Sequence, residues 1–155
     1  MTNSMTTTPL SFRAMIEDDL DQVCSIEQQA SSHPWKASHF ADSLRSGYQC
    51  IIAEENNEIV GYAVLMLVVD EAHLLILTVA REHQKKGNGQ KILEHLTALA
   101  SDKECSTLLL EVRESNQTAF NLYLNSGLCE IGQRRNYYAD TGEDAIIMAL
   151  DLQYY

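Results

Sequence analysis

The chain has 155 residues, which suits one domain and leaves too little sequence for two separate hydrophobic cores. Its hydrophobic fraction of 45% is sufficient for a buried core, so wholesale disorder is not expected. The formal net charge of -11 argues against a free-standing nucleic-acid binder, because binding a phosphate backbone requires clustered Lys and Arg.

Residues 1–9 are rich in Thr and hold no apolar run, so we predict a disordered segment that is neither a signal peptide nor an anchor. We expect one domain over residues 10–155. No stretch reaches the roughly 18 apolar residues of a membrane span. We therefore expect a cytoplasmic protein without a membrane partner. The sequence leaves open the oligomeric state and the choice of Met1 or Met5 as the natural start.

The four cysteines form no C-x-x-C pair, and none lies near a His at zinc-finger spacing, so no metal site is predicted. Cys50, Cys105 and Cys129 stand beside apolar residues. We predict that these three are buried free thiols in a reducing compartment.

Hydrophobic periodicity and turn residues divide the chain into seven strands and four helices. The first part of the chain is predicted to form a strand at 10–14, a helix opened by Glu17–Asp19, a short helix around Phe40 and Leu44, and strands at 49–53, 58–69 and 74–80. A helix opened by residues 87–89 and a strand at 107–112 follow. The last elements are a helix capped by Ser115 or Asn116 and ended by Gly127, and strands at 128–135 and 145–150. A strand–helix–strand unit within an otherwise antiparallel order predicts an α/β fold. We expect a three-layer α/β/α sandwich with a mixed, mostly antiparallel sheet and a central βαβ unit.

A polar loop between a strand and a helix carries the clearest binding signal. Gly87 and Gly89 open the helix, whose first N–H groups have no intrahelical partner and lie at the positive end of the helix dipole. Such a loop can hold a pyrophosphate, although a Gly-rich turn on a solvated face is the simpler explanation. Four of the chain's 11 Lys and Arg residues lie here, namely Arg81, Lys85, Lys86 and Lys91. The spacing fits neither a Walker loop nor a dinucleotide fingerprint, so ATP and NAD are not supported.

The run Gln84-Lys85-Lys86-Gly87-Asn88-Gly89 resembles the Q/R-x-x-G-x-G/A signature of the GNAT acetyltransferases. The resemblance implies acetyl-CoA as the acetyl donor. The loop amides would hold its pyrophosphate, and the end of the preceding strand would pair with its pantetheine arm. The candidate coenzyme-binding residues in these two segments are Leu77, Thr78, Val79, Gln84, Lys85, Lys86, Gly87, Asn88, Gly89 and Gln90.

Glu111 ends an apolar strand, where a carboxylate is unfavourable unless it is paired or lies at a wet cleft. It is an ion-pair partner of Arg113, a carboxylate at a solvated strand end, or a general base that takes a proton from an incoming ammonium. Tyr123 lies on the next predicted helix. It either packs there or protonates the thiolate that leaves when an acetyl group is transferred. Asn116 is either a helix cap or a contact of the coenzyme.

Several segments resemble the RimI-type N-acetyltransferases: Leu110-Glu111-Val112-Arg113, Ser115-Asn116 and Leu122-Tyr123, together with residues 33–35, 134–138 and 143–148. Enzymes of this type acetylate the N-terminal alanine of a ribosomal protein, the eighteenth of the small subunit. The resemblance implies that Glu111 accepts a proton, that Tyr123 donates one, and that Asn116 contacts acetyl-CoA.

The acceptor peptide has to approach the thioester from the side opposite the coenzyme. Trp35, Tyr137 and Tyr138 are candidate walls of its site, and ordinary packing explains each of them equally well. Two other functions stay open. One is a GNAT enzyme that acts on a lysine side chain or a small-molecule amine, and the other is a non-catalytic acetyl-CoA-binding module. Cys105 and Cys129 have no His nearby in sequence, so we expect direct transfer without an acetyl-enzyme.

Overall fold

The computed structural model describes residues 9–154. The predicted disordered segment 1–9 therefore lies outside the described residues apart from Pro9, which belongs to no helix or strand. Seven strands and four α-helices occur in the described residues, in the predicted order. They are β1 (Ser11–Ala14), α1 (Leu20–Ala30), α2 (Ala37–Arg45), β2 (Gln49–Glu55), β3 (Glu58–Val68), β4 (Glu71–Val79), α3 (Asn88–Asp102), β5 (Thr107–Arg113), α4 (Gln117–Asn125), β6 (Cys129–Arg134) and β7 (Ala145–Asp151).

The strands form one mixed sheet in the order β1-β2-β3-β4-β5-β7-β6. β4 and β5 are parallel, with Glu71 opposite Thr107 and Leu74 opposite Leu110, and α3 connects them in the chain. The pairs β1–β2, β5–β7 and β6–β7 are antiparallel. The predicted α/β class, with a mixed, mostly antiparallel sheet and a central βαβ unit, is confirmed.

The beginning of β4 is the element whose predicted bounds differ most from the structure. The turn lies at Val69 and Asp70 rather than at Asp70 and Glu71, and the strand begins at Glu71. Val69 is 96% exposed and adopts a left-handed backbone with φ of 55°. Glu71 is exposed and Ala72 is buried, as strand alternation requires. The polar residues at the start of β4 therefore belong to the strand.

By its internal contacts the chain divides into two compact units. The first contains residues up to Ala63 together with Leu77–Ile92, and the second contains Val64–Ile76 and the residues from Leu93 onward. Fully buried side chains in the first unit include Val23, Phe40, Ile52, Val60 and Tyr62. Those in the second unit include Leu65, Leu96, Leu108 and Met148. One domain over residues 10–155 stays a prediction.

The acidic residues predicted to open the first helix form a 3-10 turn, Glu17–Asp19, that leads into α1. Asp19 accepts hydrogen bonds from both terminal nitrogens of Arg13 at 2.8 Å and from the Ile16 N–H at 2.8 Å. The Arg13 guanidinium lowers the pKa of the Asp19 carboxyl. This carboxylate thereby fixes the junction between β1 and α1.

The prediction that Cys129 is buried is wrong. All four cysteines are free thiols, and Cys50 and Cys105 are buried as expected, but Cys129 is exposed. The reason is its position on β6, which ends the strand order and has five exposed residues among its six. An apolar neighbour in the sequence does not bury a residue on an outer strand.

Replacement of Gly61 by Ala is expected to destabilise the fold by about 1–3 kcal/mol, because the added methyl group overpacks a filled site. A Cβ at Gly61 on β3 would lie 2.6 Å from the Thr78 carbonyl oxygen and 2.8 Å from Ile92 Cδ1. Urea unfolding measures the loss. Gly132→Ala on β6 is the matched control, since its Cβ would meet only Ile147 Cδ1, at 3.8 Å. Equal stability of the two variants would contradict the close approach at Gly61.

Candidate active site

The predicted coenzyme loop in the first unit is a shaped turn. After β4 comes a 3-10 turn, Arg81–His83, and Lys85 and Gly87 then adopt left-handed backbones with φ of 62° and 82°. The Gln84 side-chain amide donates to the Val79 carbonyl oxygen at 3.0 Å, and that of Asn88 donates to the His83 carbonyl oxygen at 2.9 Å. These two amides hold the loop in its conformation.

The loop ends at the N-terminus of α3, a helix of 15 residues that begins at Asn88. The N–H groups of a first helical turn have no intrahelical acceptor, and the helix dipole makes this end positive. The side chains of Lys85 and Lys86 just before it are exposed. This arrangement is suited to binding a phosphate or pyrophosphate group. Binding of an anion there stays a prediction.

Glu27 was not predicted from the sequence, yet it is the most buried carboxylate of the described residues, with 1% of its surface exposed. Its Oε1 accepts hydrogen bonds from the Tyr62 hydroxyl at 2.8 Å and the Thr78 hydroxyl at 2.9 Å. Its Oε2 accepts from the Trp35 backbone N–H at 3.0 Å. A buried carboxylate requires such donors, since burial without them costs several kcal/mol or more. Burial, reinforced by the Glu27 charge, raises the pKa of Tyr62.

Glu27 thereby links two segments that the sequence analysis singled out. Trp35 lies in the connection between α1 and α2, and Thr78 lies near the end of β4. The Trp35 ring also packs on Phe40, with the ring centres 5.1 Å apart, and Phe40 meets the edge of Tyr62 at 5.7 Å. The loop that carries Trp35 is therefore held on both its backbone and its side chain.

Glu111 lies in the second unit, near the end of β5. Its partner is His73 on β4, whose Nε2 lies 3.1 Å from Oε1 and 3.0 Å from Oε2 of Glu111. The ion pair with Arg113 that the sequence left open is not formed, because Arg113 binds Asp140 and Glu143 instead, at 3.1 and 3.3 Å. The parallel register of β4 and β5 extends to Leu74 and Leu110, so Glu111 is the first residue of β5 beyond it.

Arg113 organises the segment between β6 and β7. Besides its two ion pairs, its guanidinium carbon lies 4.0 Å from the centre of the Tyr138 ring. Glu143 in turn accepts a hydrogen bond from the Ser115 N–H at 3.0 Å. A hydrogen bond from the Ser115 side chain contributes most to lowering the Glu143 pKa, and the Ser115 N–H and Arg113 lower it further. These contacts fix Tyr138, whereas Tyr137 is 48% exposed.

Two tyrosines of the second unit, Tyr123 and Tyr138, have raised pKa values. Burial raises the pKa of Tyr123 to about 12, with a further contribution from Tyr138. Burial likewise raises the pKa of Tyr138 to about 12; the Arg113 charge opposes this shift, and the Tyr137, Glu111 and Glu143 charges add to it. Both phenols therefore keep their protons at neutral pH, as a proton donor must. Tyr123 is 8% exposed.

Asn116 is the N-cap of α4, which confirms the helix-cap role predicted for it as one of two alternatives. Its side-chain oxygen accepts a hydrogen bond from the Ala119 N–H at 3.1 Å. Such a cap contributes about 1 kcal/mol to helix stability. The alternative role, contact with the coenzyme, stays a prediction for this residue.

The described residues contain neither a metal-binding cluster nor a membrane-spanning helix. Between residues 9 and 154, no group of three or more His, Cys, Asp and Glu side chains is arranged to hold a metal ion. None of the helices in that range is long and apolar enough to cross a membrane.

Comparison with known proteins gives consistent matches. The sequence profile of the acetyltransferase (GNAT) family matches residues 15–128. The ribosomal protein bS18-alanine N-acetyltransferase of Escherichia coli K12 is 39% identical, over 86% of this chain and 92% of its own length. The enzyme of that name from Haemophilus influenzae is 36% identical, over 84% and 91%. The crystal structure of the ribosomal-protein-S18-alanine N-acetyltransferase from Escherichia coli is similar with a TM-score of 0.85 and 36% identity, over 93% of this chain and 94% of that one.

Proposed function

Because the chain belongs to the acetyltransferase (GNAT) family, we propose that it transfers the acetyl group of acetyl-CoA to the N-terminal alanine α-amine of ribosomal protein bS18, the eighteenth of the small subunit. One observation carries the choice of acceptor. The relatives named for this reaction are 36% and 39% identical to the chain and match more than four fifths of it. A ribosomal acceptor also agrees with the expected cytoplasmic location.

The loop before α3 would bind the donor. Backbone N–H groups at Gly87, Asn88 and Gly89 would hold the pyrophosphate, with Lys85 and Lys86 adding positive charge nearby. The half-buried end of β4, Leu77–Val79, would pair its backbone with the pantetheine arm. The loop conformation supports this assignment. The side-chain amides of Gln84 and Asn88 donate to backbone carbonyl oxygens and hold the loop in shape, and they do not occupy the backbone N–H groups proposed to bind the pyrophosphate.

Glu111 and Tyr123 would carry the proton transfers. Glu111 accepts a proton from the α-ammonium, directly or through a water, and the neutral nitrogen attacks the thioester carbonyl. The tetrahedral intermediate then collapses, the carbon–sulfur bond breaks, and the Tyr123 hydroxyl protonates the departing thiolate. The nitrogen loses its second proton to water, and the Tyr123 hydroxyl is restored by a proton from water. The phenol is protonated at neutral pH, as a proton donor must be. Asn116 at the start of α4 would contact acetyl-CoA.

Trp35, Tyr137 and Tyr138 would line the acceptor site. The contacts that hold Trp35 and Tyr138 support this assignment, because a peptide site benefits from walls that are ordered before binding. The exposed face of Tyr137 offers a surface for a peptide side chain.

The raised pKa values of two cysteine thiols support direct transfer of the acetyl group. Burial raises the pKa of Cys50 to about 11, and burial together with the Asp70 charge raises that of Cys105. Only a thiolate is an effective nucleophile, so neither thiol is suited to carry an acetyl group at neutral pH. An acetyl-enzyme isolated in the absence of acceptor would contradict direct transfer.

Replacement of Tyr123 by Phe is expected to lower kcat about 100-fold, within the usual contribution of a general acid. The phenyl ring fills the same buried space, so acetyl-CoA binding and folding are retained. Steady-state kinetics with the peptide measures kcat. Tyr48→Phe in the first unit is the matched control, since it removes a tyrosine hydroxyl elsewhere and is expected to keep full activity. Full activity of Tyr123→Phe would remove Tyr123 from the acid role.

The acceptor atom is tested by mass spectrometry of a peptide that carries both an N-terminal alanine and an internal lysine. Acetylation of the α-amine alone is the expected result. Acetylation of the lysine would favour the broader acceptor range, and polyamines and other small amines would then be assayed. Acetyl-CoA binding without any product would favour a non-catalytic binding module.

A further inference from the structure

His73 is positioned by the sheet to reach Glu111. The parallel register places His73 on β4 opposite Leu109 on β5. Glu111 follows Leu109 by two residues, so both project from the same face of β5. His73 therefore faces the carboxylate side of that strand, and its Nε2 lies within hydrogen-bond distance of both carboxylate oxygens.

The chemistry of the pair fixes the direction of the bond. An ionised carboxylate can only accept hydrogen bonds. Nε2 of His73 must therefore carry a hydrogen and act as the hydrogen-bond donor. One N–H shared between two oxygens restricts rotation of the carboxylate about its last torsion. The side chains of His73 and Glu111 are 27% and 15% exposed, so water competes only in part for this bond.

We propose that His73 is a positioning residue for the general base, holding the Glu111 carboxylate oriented toward the incoming ammonium. The proposal rests on the assignment of Glu111 as the base. His73 acts through Glu111 and does not itself bind the acetyl donor or the peptide. Removal of the N–H leaves the carboxylate free to rotate and takes away a hydrogen bond to its charged form.

His73→Leu is expected to lower kcat between about 10- and 100-fold, the range set by the loss of one hydrogen bond to a charged group. KM for acetyl-CoA and for the peptide is expected to stay unchanged, because binding does not involve His73. His73→Gln keeps an N–H donor on a side chain of similar reach, and most of the activity is expected to return with it. A role in folding alone would instead lower the unfolding temperature of the Leu variant without this rescue.

A double-mutant cycle gives the decisive readout. In a Glu111→Gln background, His73→Leu is expected to cause little further loss, since His73 acts only through the carboxylate. Independent losses that multiply in the double variant would overturn the proposal, as would a fully active His73→Leu enzyme. Failure of the proposed function is distinguishable, because the wild-type enzyme would then acetylate no peptide α-amine at all.

Discussion

Glu111→Gln is expected to lower kcat by about 10²–10⁴-fold, the usual contribution of a general base. The amide has nearly the shape of the carboxylate but accepts no proton from an ammonium at neutral pH. Acetyl-CoA affinity is expected to be unchanged, because the residues proposed to bind the coenzyme are others. Stopped assays of peptide acetylation measure the rate, and calorimetric titration of acetyl-CoA measures the binding.

Glu114→Gln is the matched control, since it makes the same chemical change at an exposed position three residues along the chain. It is expected to keep full activity. Equal rates for Glu111→Gln and wild type would show that another group, or bulk water, removes the proton. Loss of acetyl-CoA binding in Glu111→Gln would instead point to a structural role for the carboxylate.

Glu27→Leu is expected to destabilise the protein by about 3 kcal/mol, at about 1 kcal/mol for each of three hydrogen bonds lost. Their donors are the Tyr62 hydroxyl, the Thr78 hydroxyl and the Trp35 N–H. For a chain of this length the melting temperature would fall by about 6–12 °C. Thermal unfolding followed by circular dichroism measures the shift.

Two variants control this experiment. Glu27→Gln is expected to lose far less, because an amide can accept from the Trp35 N–H and donate to the two hydroxyl oxygens. Gln28→Leu places the same side chain at the exposed neighbouring position of α1 and is expected to be nearly neutral. A Glu27→Leu protein as stable as wild type would mean that water reaches the three donors.

The regular elements and their order followed from the sequence because apolar periodicity and turn residues decide them locally. The helix ended by Gly127 is an example, since Gly127 adopts the left-handed backbone, with φ of 99°, that such a position requires. The sequence predicts too late a start for β4, because Glu71 and His73 are polar and resemble turn residues. Only the pairing with β5 shows that they alternate with buried residues.

The sequence alone did not predict which side chains pair when they are far apart in the chain. Arg113, two residues from Glu111, was the obvious partner in the chain, but the segment around Asp140 and Glu143 occupies it. His73 is 38 residues from Glu111, and only the β4–β5 register joins them. Glu27 gave a weak signal, because it follows Val23 by four residues and so falls on the apolar stripe of α1.

The central claim is transfer of an acetyl group to a peptide α-amine, and release of free coenzyme A thiol tests it most directly. The purified protein is mixed with acetyl-CoA and a peptide matching the N-terminus of ribosomal protein bS18, and with the same peptide carrying a blocked α-amine. Thiol release with the free peptide alone is the predicted result. Equal release with both peptides, or release with neither while acetyl-CoA binds, would contradict it.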